Sequence, residues 1–391
     1  MNNASQISWP SWPHYGNEEK EAVARVIESN QLFAADRVRE FEQNFLEYTG
    51  TSFAKGVGNA TQGLHLSLAA LDIGEGDEVI VTPYTFIASA SSILMQNAVP
   101  VFCDCDAQTR ALSAEKIEPH ISSRTRAIIV VHMFGYPADM DPILELARNH
   151  GLAVIEDASH AYGAEYKGRR CGGIGDLGVF SMHQRKSLSA GDGGIVVTND
   201  PEIDERIYRL RSFGHKQLSY NYRMTEFAGA LGLVQLGKLD LHNSIRQRNA
   251  ELLAELLEKV EGLDVIRPLA CATSVYYRVL LHFHPEKFNC DLLEFSSVVA
   301  QSGVPLEPTW KLIHLHPHFN PEEAPARGLP WESQSYDGAM KGKKYESLSF
   351  PVIENLCANH LLELCVHPPV SEKEITFAAQ IIEETVDKFS K

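Results

Sequence analysis

The chain lacks an excess of positive charge, a long apolar run and a cysteine framework, and each absence removes a class of function. Thirty-five Lys and Arg face 51 Asp and Glu, a formal charge of -16. A general nucleic-acid or anionic-membrane binder needs a basic face, so neither partner is expected. A small phosphate ligand stays open, because a nest of backbone amides can bind one inside an acidic protein. No stretch approaches the roughly 18 apolar residues of a membrane helix. The opening, MNNASQISWPSWPHYG, has no basic region leading into an apolar run and does not read as a signal peptide. The cysteines are odd in number (Cys103, Cys105, Cys171, Cys271, Cys290, Cys357, Cys365) and form no zinc-type pairs. They read as free thiols in a reducing cytoplasm. No internal repeat or low-complexity tract is visible.

What is present is an ordinary globular composition, 44% apolar and 22% charged, over 391 residues. That length suits a large domain with a smaller one. Residues 1–16, rich in Pro, Trp and Asn, read as an N-terminal arm that packs on the body, since Trp9 and Trp12 are poor free-surface residues. NEEKEAVARVIES follows as an amphipathic helix with Asn17 as its cap. From 55 to 200, strand-like runs (DEVIVTP, VPVFCD, RAIIVVH, LAVIED, LGVFSM, GGIVVTN) alternate with helical ones. This alternation predicts an α/β domain over 17–250 with a mostly parallel, buried central sheet. In such sheets ligands sit beyond the carboxyl ends of the strands. Residues 225–260 predict a long helix, bent near 240–244 and ended by Gly262. The chain from 251 to 391 reads as a smaller C-terminal α+β domain, with a Pro- and Gly-rich stretch over 304–352.

Three strand ends carry chemistry. LAVIEDASHA ends a buried strand with Glu156 and Asp157, and a carboxylate there needs a cationic partner. Alone, it reads first as a helix cap or a structural ion pair. GVGNATQGLHLSLAAL is a small-residue turn opening a helix. Thr61 and the amides of Ala60 and Gln62 would lie at its positive end. Many plain helix starts look the same. VFSMHQRKSLSAGDGGIVVTND holds Lys186 between two strands, and a lone loop lysine is ordinarily solvated. The combination changes this reading. An aldehyde cofactor carried on a lysine needs a carboxylate at its ring nitrogen, an anion nest for its phosphate and a flat residue against its ring. Asp157, the Thr61 turn with Ser181, and Phe86 in TPYTFIAS can supply them.

In this order the motifs resemble the sugar aminotransferases of the DegT/DnrJ/EryC1/StrS group, pyridoxal-phosphate enzymes of fold type I. They are GNATQGLHLSLAALDIGEGDEVIVTPYTFIASA, VHMFGYPADMD, IEDASHAYGAEYKG, FSMHQRKSLSAGDGG and SYNYRMTEFAGALGLVQLGKLD. The resemblance implies that pyridoxal 5'-phosphate forms a Schiff base with Lys186 and that Asp157 pairs with its ring nitrogen. It implies that Phe86 covers the ring, that His160 lies near it, and that Ala60, Thr61, Gln62 and Ser181 contact the phosphate. Asn221 matches an asparagine reaching the phosphate from the neighbouring subunit of a homodimer with shared active sites. His183 matches a polar position that can face substrate. Asp192 stands where the family usually has Glu, and Ala60 where it usually has Gly. The implied reaction moves an amino group from glutamate or glutamine to a keto-sugar or keto-cyclitol, in antibiotic or polysaccharide synthesis. Members with histidine at the lysine position are dehydratases. A dehydratase, an aminohydroxybenzoate-type synthase and a non-catalytic cofactor-binding regulator are the alternatives.

Two further features are ambiguous. Arg223 in NYRM can bind a donor carboxylate or pin a dimer interface. HLHPH, residues 314–318, alternates three histidines, which share a face only in an extended strand. Pro317 and the lack of a nearby fourth ligand argue against a metal, and none is expected.

Overall fold

Apolar runs buried on both faces build one seven-stranded sheet. In chain order its strands are β1 (Phe53–Val57), β2 (Glu78–Val81), β3 (Val99–Phe102), β4 (Thr125–Val131), β5 (Ala153–Asp157), β6 (Leu177–Ser181) and β7 (Gly194–Thr198). The computed structural model describes residues 7–33, 35–213, 217–322 and 328–391. The first six residues of the expected arm lie outside this set, as do residues 323–327 of the Pro- and Gly-rich stretch.

Across the sheet the order is β1-β7-β6-β5-β4-β2-β3. Only β7 runs antiparallel to its neighbours. The others are mutually parallel, so the carboxyl ends of β2, β4, β5 and β6 open on one edge. Crossover helices cover both faces, which is why these strands read as continuous Val/Ile runs and not as alternating ones.

The long helix Glu226–Leu257 starts at Thr225, whose side chain accepts from the Ala228 amide. It packs along the helices Asn17–Ser29 and Asp36–Thr49. Lys238 and Gln235 fasten it to the buried Glu19, at 2.6 and 2.8 Å. The helix is continuous through 240–244, where the sequence suggests a bend. The polar residues there are satisfied without breaking it. Asn243 donates to the Tyr162 carbonyl (2.7 Å), and the Ser244 hydroxyl bonds back to Leu241 (2.8 Å).

Beyond this helix a four-stranded antiparallel sheet forms from β8 (Leu263–Val265), β9 (Val279–Phe283), β10 (Leu306–Pro308) and β11 (Leu361–Leu364), in the order β8-β9-β11-β10. The closing helix Glu372–Phe389 packs on the long helix and on Leu292–Ala300. The described part of the arm, residues 7–15, has no helix or strand but is tied at both ends. Ile7 donates to the Ser302 carbonyl, and the Tyr15 hydroxyl lies 2.7 Å from Ser189.

Candidate active site

Side chains alternate across a strand, so neighbouring residues serve opposite faces. At the end of β5 this separates two acids. Glu156 turns into the body. Its Oε1 accepts from the amides of Ile174 and Gly175, and its Oε2 from Gly172 and His132 Nε2. It anchors the 172–175 turn. His132, Glu156 and Cys171 also form the cluster whose spacing could suit a metal. Glu156 and His132 are already placed by those bonds and by Ala138 donating to His132 Nδ1.

Asp157 turns the other way, into a cavity of about 800 Å³ at the strand ends. Its Oδ2 accepts from Ser89 Oγ at 2.6 Å and its Oδ1 from the Ser159 amide at 3.2 Å. Among the described residues no lysine or arginine lies in ion-pair contact with it. A buried carboxylate held by two neutral donors has room for one cationic N–H.

Lys186 enters the same cavity from the loop between β6 and β7. Gly191 (φ 84°) and Gly193 (φ 149°) take backbone conformations that L side chains rarely adopt, and they turn the chain back into the sheet. The Gln184 and Met182 amides close this turn onto the Gly191 and Gly193 carbonyls. Asp192 at its tip accepts from the Gly193 amide. The Lys186 stem is half-buried, but its amine lies deep, and burial pushes its pKa down to about 8 against the pull of Asp157. Nζ sits 2.7 Å from His160 Nε2. The other ring nitrogen of His160 accepts from the Phe134 amide, so in the neutral ring Nε2 carries the proton and can donate to the amine once the amine is itself neutral. Burial, then the Lys186 charge, hold His160 well below its ordinary pKa. Trp12 of the arm donates to the Lys186 carbonyl at 2.9 Å and fixes the peptide behind the amine.

The third wall is the start of helix Ala60–Ala70. Asn59 caps it by accepting from the Gln62 amide at 3.0 Å. Ala60 and Thr61 line the cavity at this positive end. Gln62 does not. Its amide is taken by the cap and its side chain folds back toward Gly58. A Cβ on Gly194 would lie 2.7 Å from the Asn59 carbonyl carbon and 2.8 Å from the Ala60 nitrogen, so the helix start rests directly on β7. Gly194→Ala should therefore destabilise the fold by about 1–3 kcal/mol in a urea titration, the usual cost of overpacking. An unchanged midpoint would contradict this close contact.

Phe86, His160, Ser181 and His183 also line the cavity, so most of the expected residues converge. Phe86 stands exposed, edge-on to Trp310. Asn221 and Arg223 do not reach the cavity within one chain. Arg223 donates to Asn221 Oδ1 and lies between the rings of Phe33 and Phe213, each 3.9 Å away. The histidines of HLHPH do not share a strand face. His314 is buried beside Phe350, while the rings of His316 and His318 meet edge to face.

Sequence reasoning missed Ser89, Tyr277, Arg278, Glu307, Trp310 and Glu363. Ser89 had a signal, a small polar residue three places after Phe86. The others come from strands of the second sheet or the segments beside them, where no motif marks them. Tyr277 stacks on His160 with ring centroids 4.2 Å apart. Glu363 is pushed up to about 7, chiefly by burial, with Arg278 opposing.

A mostly parallel sheet with a buried lysine and carboxylate at its strand ends is the plan of fold type I of the pyridoxal-phosphate enzymes, and solved structures of such aminotransferases share this fold. The DegT/DnrJ/EryC1/StrS aminotransferase family profile matches residues 13–359, and the chain belongs to this family. It is 41% identical to GDP-perosamine synthase from Caulobacter vibrioides over 270 residues, covering 67% of this chain and 72% of that protein. It is 32% identical to L-glutamine:2-deoxy-scyllo-inosose aminotransferase from Streptomyces paromomycinus, covering 88% and 87%. An aminotransferase structure from Psychrobacter cryohalolentis superimposes with a TM-score of 0.86 at 31% identity, covering 97% and 99%.

Proposed function

We propose that the protein transfers an amino group from glutamate or glutamine to a ketone on a sugar or cyclitol, with pyridoxal 5'-phosphate carried on Lys186. One observation carries this reading. A buried amine and a buried carboxylate with no ion-pair partner among the described residues share one cavity, beside a helix N-terminus. Those parts match the chemistry of this cofactor end to end. Lys186 would hold its aldehyde carbon, Asp157 its ring nitrogen, Phe86 and His160 its ring, and Thr61, Ala60 and Ser181 its phosphate. Asn221, exposed, and Arg223, half-buried beside it, fit a contribution to the cavity of a second copy in a homodimer. When bound, the cofactor supplies an electron sink for the substrate α-carbon.

The chain supplies the rest. Asp157 would hold a proton on the ring nitrogen. Lys186 Nζ, with its lowered pKa, is a base near neutral pH that can take a proton from the α-carbon and return it one atom away. His160 orients that amine through Nε2. Trp12 and the 191–194 turn keep it from swinging into solvent. Glu307, Glu363 and Trp310 give the far wall acceptors and a flat apolar face, which suit a hydroxylated ring.

Mixing the cofactor-loaded protein with L-glutamate or L-glutamine tests the reading. The absorption band of the lysine-bound cofactor should decay, with stoichiometric release of a keto acid. Cofactor binding with no keto acid from either donor would favour the regulator. Water elimination from a sugar in place of amine transfer would favour the dehydratase.

A further inference from the structure

The second sheet turns two acids into the main cavity. Glu307 lies on β10 and Glu363 on β11, and they are directly opposite partners across the antiparallel ladder. Like charges in that position repel and destabilise a sheet. Side chains alternate on β11, so Leu362 and Leu364 enter the core while Glu363 faces the cavity. Glu363 is 3% exposed, yet its Oε2 has no hydrogen-bond partner. Arg278, 3.8 Å from Oε1, is the one cation within ion-pair distance of either acid among the described residues. Two carboxylates therefore share one guanidinium. Burial holds Glu363 up at about 7 against Arg278, and Glu307 adds to the rise.

A buried carboxylate with a free oxygen and a like charge opposite is costly, and it persists where something compensates it. A hydroxyl from a substrate would satisfy the oxygen but not the charge. A phosphate or carboxylate would bring a further negative charge to this wall. An ammonium group answers both needs, with three N–H donors and a positive charge. The acids are also placed to read a substituent on the ring that carries the ketone. The Trp310 indole hydrogen-bonds to Glu363. Its ring meets His160 and Phe86, with centroids 5.6 and 6.1 Å apart. His160 in turn lies 2.7 Å from Lys186 Nζ. One aromatic ring thus separates Glu363 from the residues around the amine.

We propose that the acceptor carries an ammonium group in addition to its ketone, and that Glu363, with Glu307 opposite, binds it. This rests on the amino-transfer reading above. The acceptor is then an amino-substituted keto-sugar or keto-cyclitol, and the product of transfer is a diamine. An earlier reaction must already have placed the first nitrogen on the ring.

The test loads the protein with the amine form of the cofactor, which cannot condense with an amine probe. The probe is scyllo-inosamine, and scyllo-inositol, with a hydroxyl in place of the amine, is its control. Calorimetric titration at about pH 7.5 should show the amine binding at least about 10-fold tighter, the scale of a charge-assisted bond. Glu363→Gln should remove most of that preference. If that variant does not fold, Glu307→Gln, which changes the exposed member of the pair, should still weaken the amine several-fold. Binding should tighten as pH rises from about 6 to about 7.5, because Glu363 loses its proton while the amine keeps its own. Besides Arg278 and Glu307, the groups facing Glu363 are Tyr84 and Tyr277, which burial raises and keeps neutral over this range. Glu363→Gln should lose the rise. Equal binding of inosamine and inositol would overturn the proposal. So would an inosamine affinity unaltered by either substitution, or one that stays flat across this pH range. Inosamine bound through Glu363 with no keto acid released from either donor would sink the amino-transfer reading and leave the cation site standing.

Discussion

Lys186→Ala is expected to abolish amino transfer while the protein stays folded. Removing one general acid–base group costs about 10²–10⁴-fold, and here the same residue also carries the cofactor, so a loss at or beyond the top of that range is expected. No other group in the cavity can replace it. Lys186 is the only lysine on the cavity wall among the described residues. His160 Nε2 is within 2.7 Å, but its ring is held well below its ordinary pKa and is a weak base. The fold should tolerate the change. The backbone contacts of Lys186, from Trp12 to its carbonyl and from its amide to His183, do not use the side chain. Keto-acid release reads the activity, and loss of the lysine-bound cofactor's absorption band reads the covalent link. Wild-type turnover in this variant would end the assignment.

Asp157→Ala should lower the rate of donor-driven cofactor decay by about 10²–10³-fold, the scale for removing one preorganised electrostatic group from a dry site. Asp157→Asn separates charge from shape. The amide oxygen can still accept from the Ser159 amide while its NH2 donates to the Ser89 hydroxyl, the two groups that hold the carboxylate at 3.2 and 2.6 Å. It cannot balance a protonated ring nitrogen. Both variants should therefore be slow, with asparagine nearer the wild-type melting midpoint. If Asp157→Asn runs at the wild-type rate, the carboxylate does not act on the ring nitrogen, and its place in the cavity is structural.

The parts of the site legible in the sequence share one property: each is local to a strand end. A strand that stops at Asp157, a turn of glycines after Lys186 and a small-residue turn before Thr61 are short-range patterns. In a parallel sheet, strand ends on one edge meet in space. The alternation of side chains even separates Glu156 from Asp157 in principle. Yet which acid faces the cavity depends on which face of the sheet carries it, and the residue order does not say. Gln62 shows the limit at one helix start. It looked equivalent to Ala60 and Thr61, but the Asn59 cap takes its amide.

Chain order alone was enough for the α/β alternation, the parallel sheet, and the meeting of Lys186, Asp157, Thr61 and Ser181 at its edge, because periodicity and strand polarity are written in neighbouring residues. Folding in three dimensions was needed to bring Tyr277, Trp310 and Glu363 across from the second sheet. It was needed to lay Trp12 behind the lysine. Those contacts join residues far apart in the chain, and nothing in the local pattern of either partner records the other.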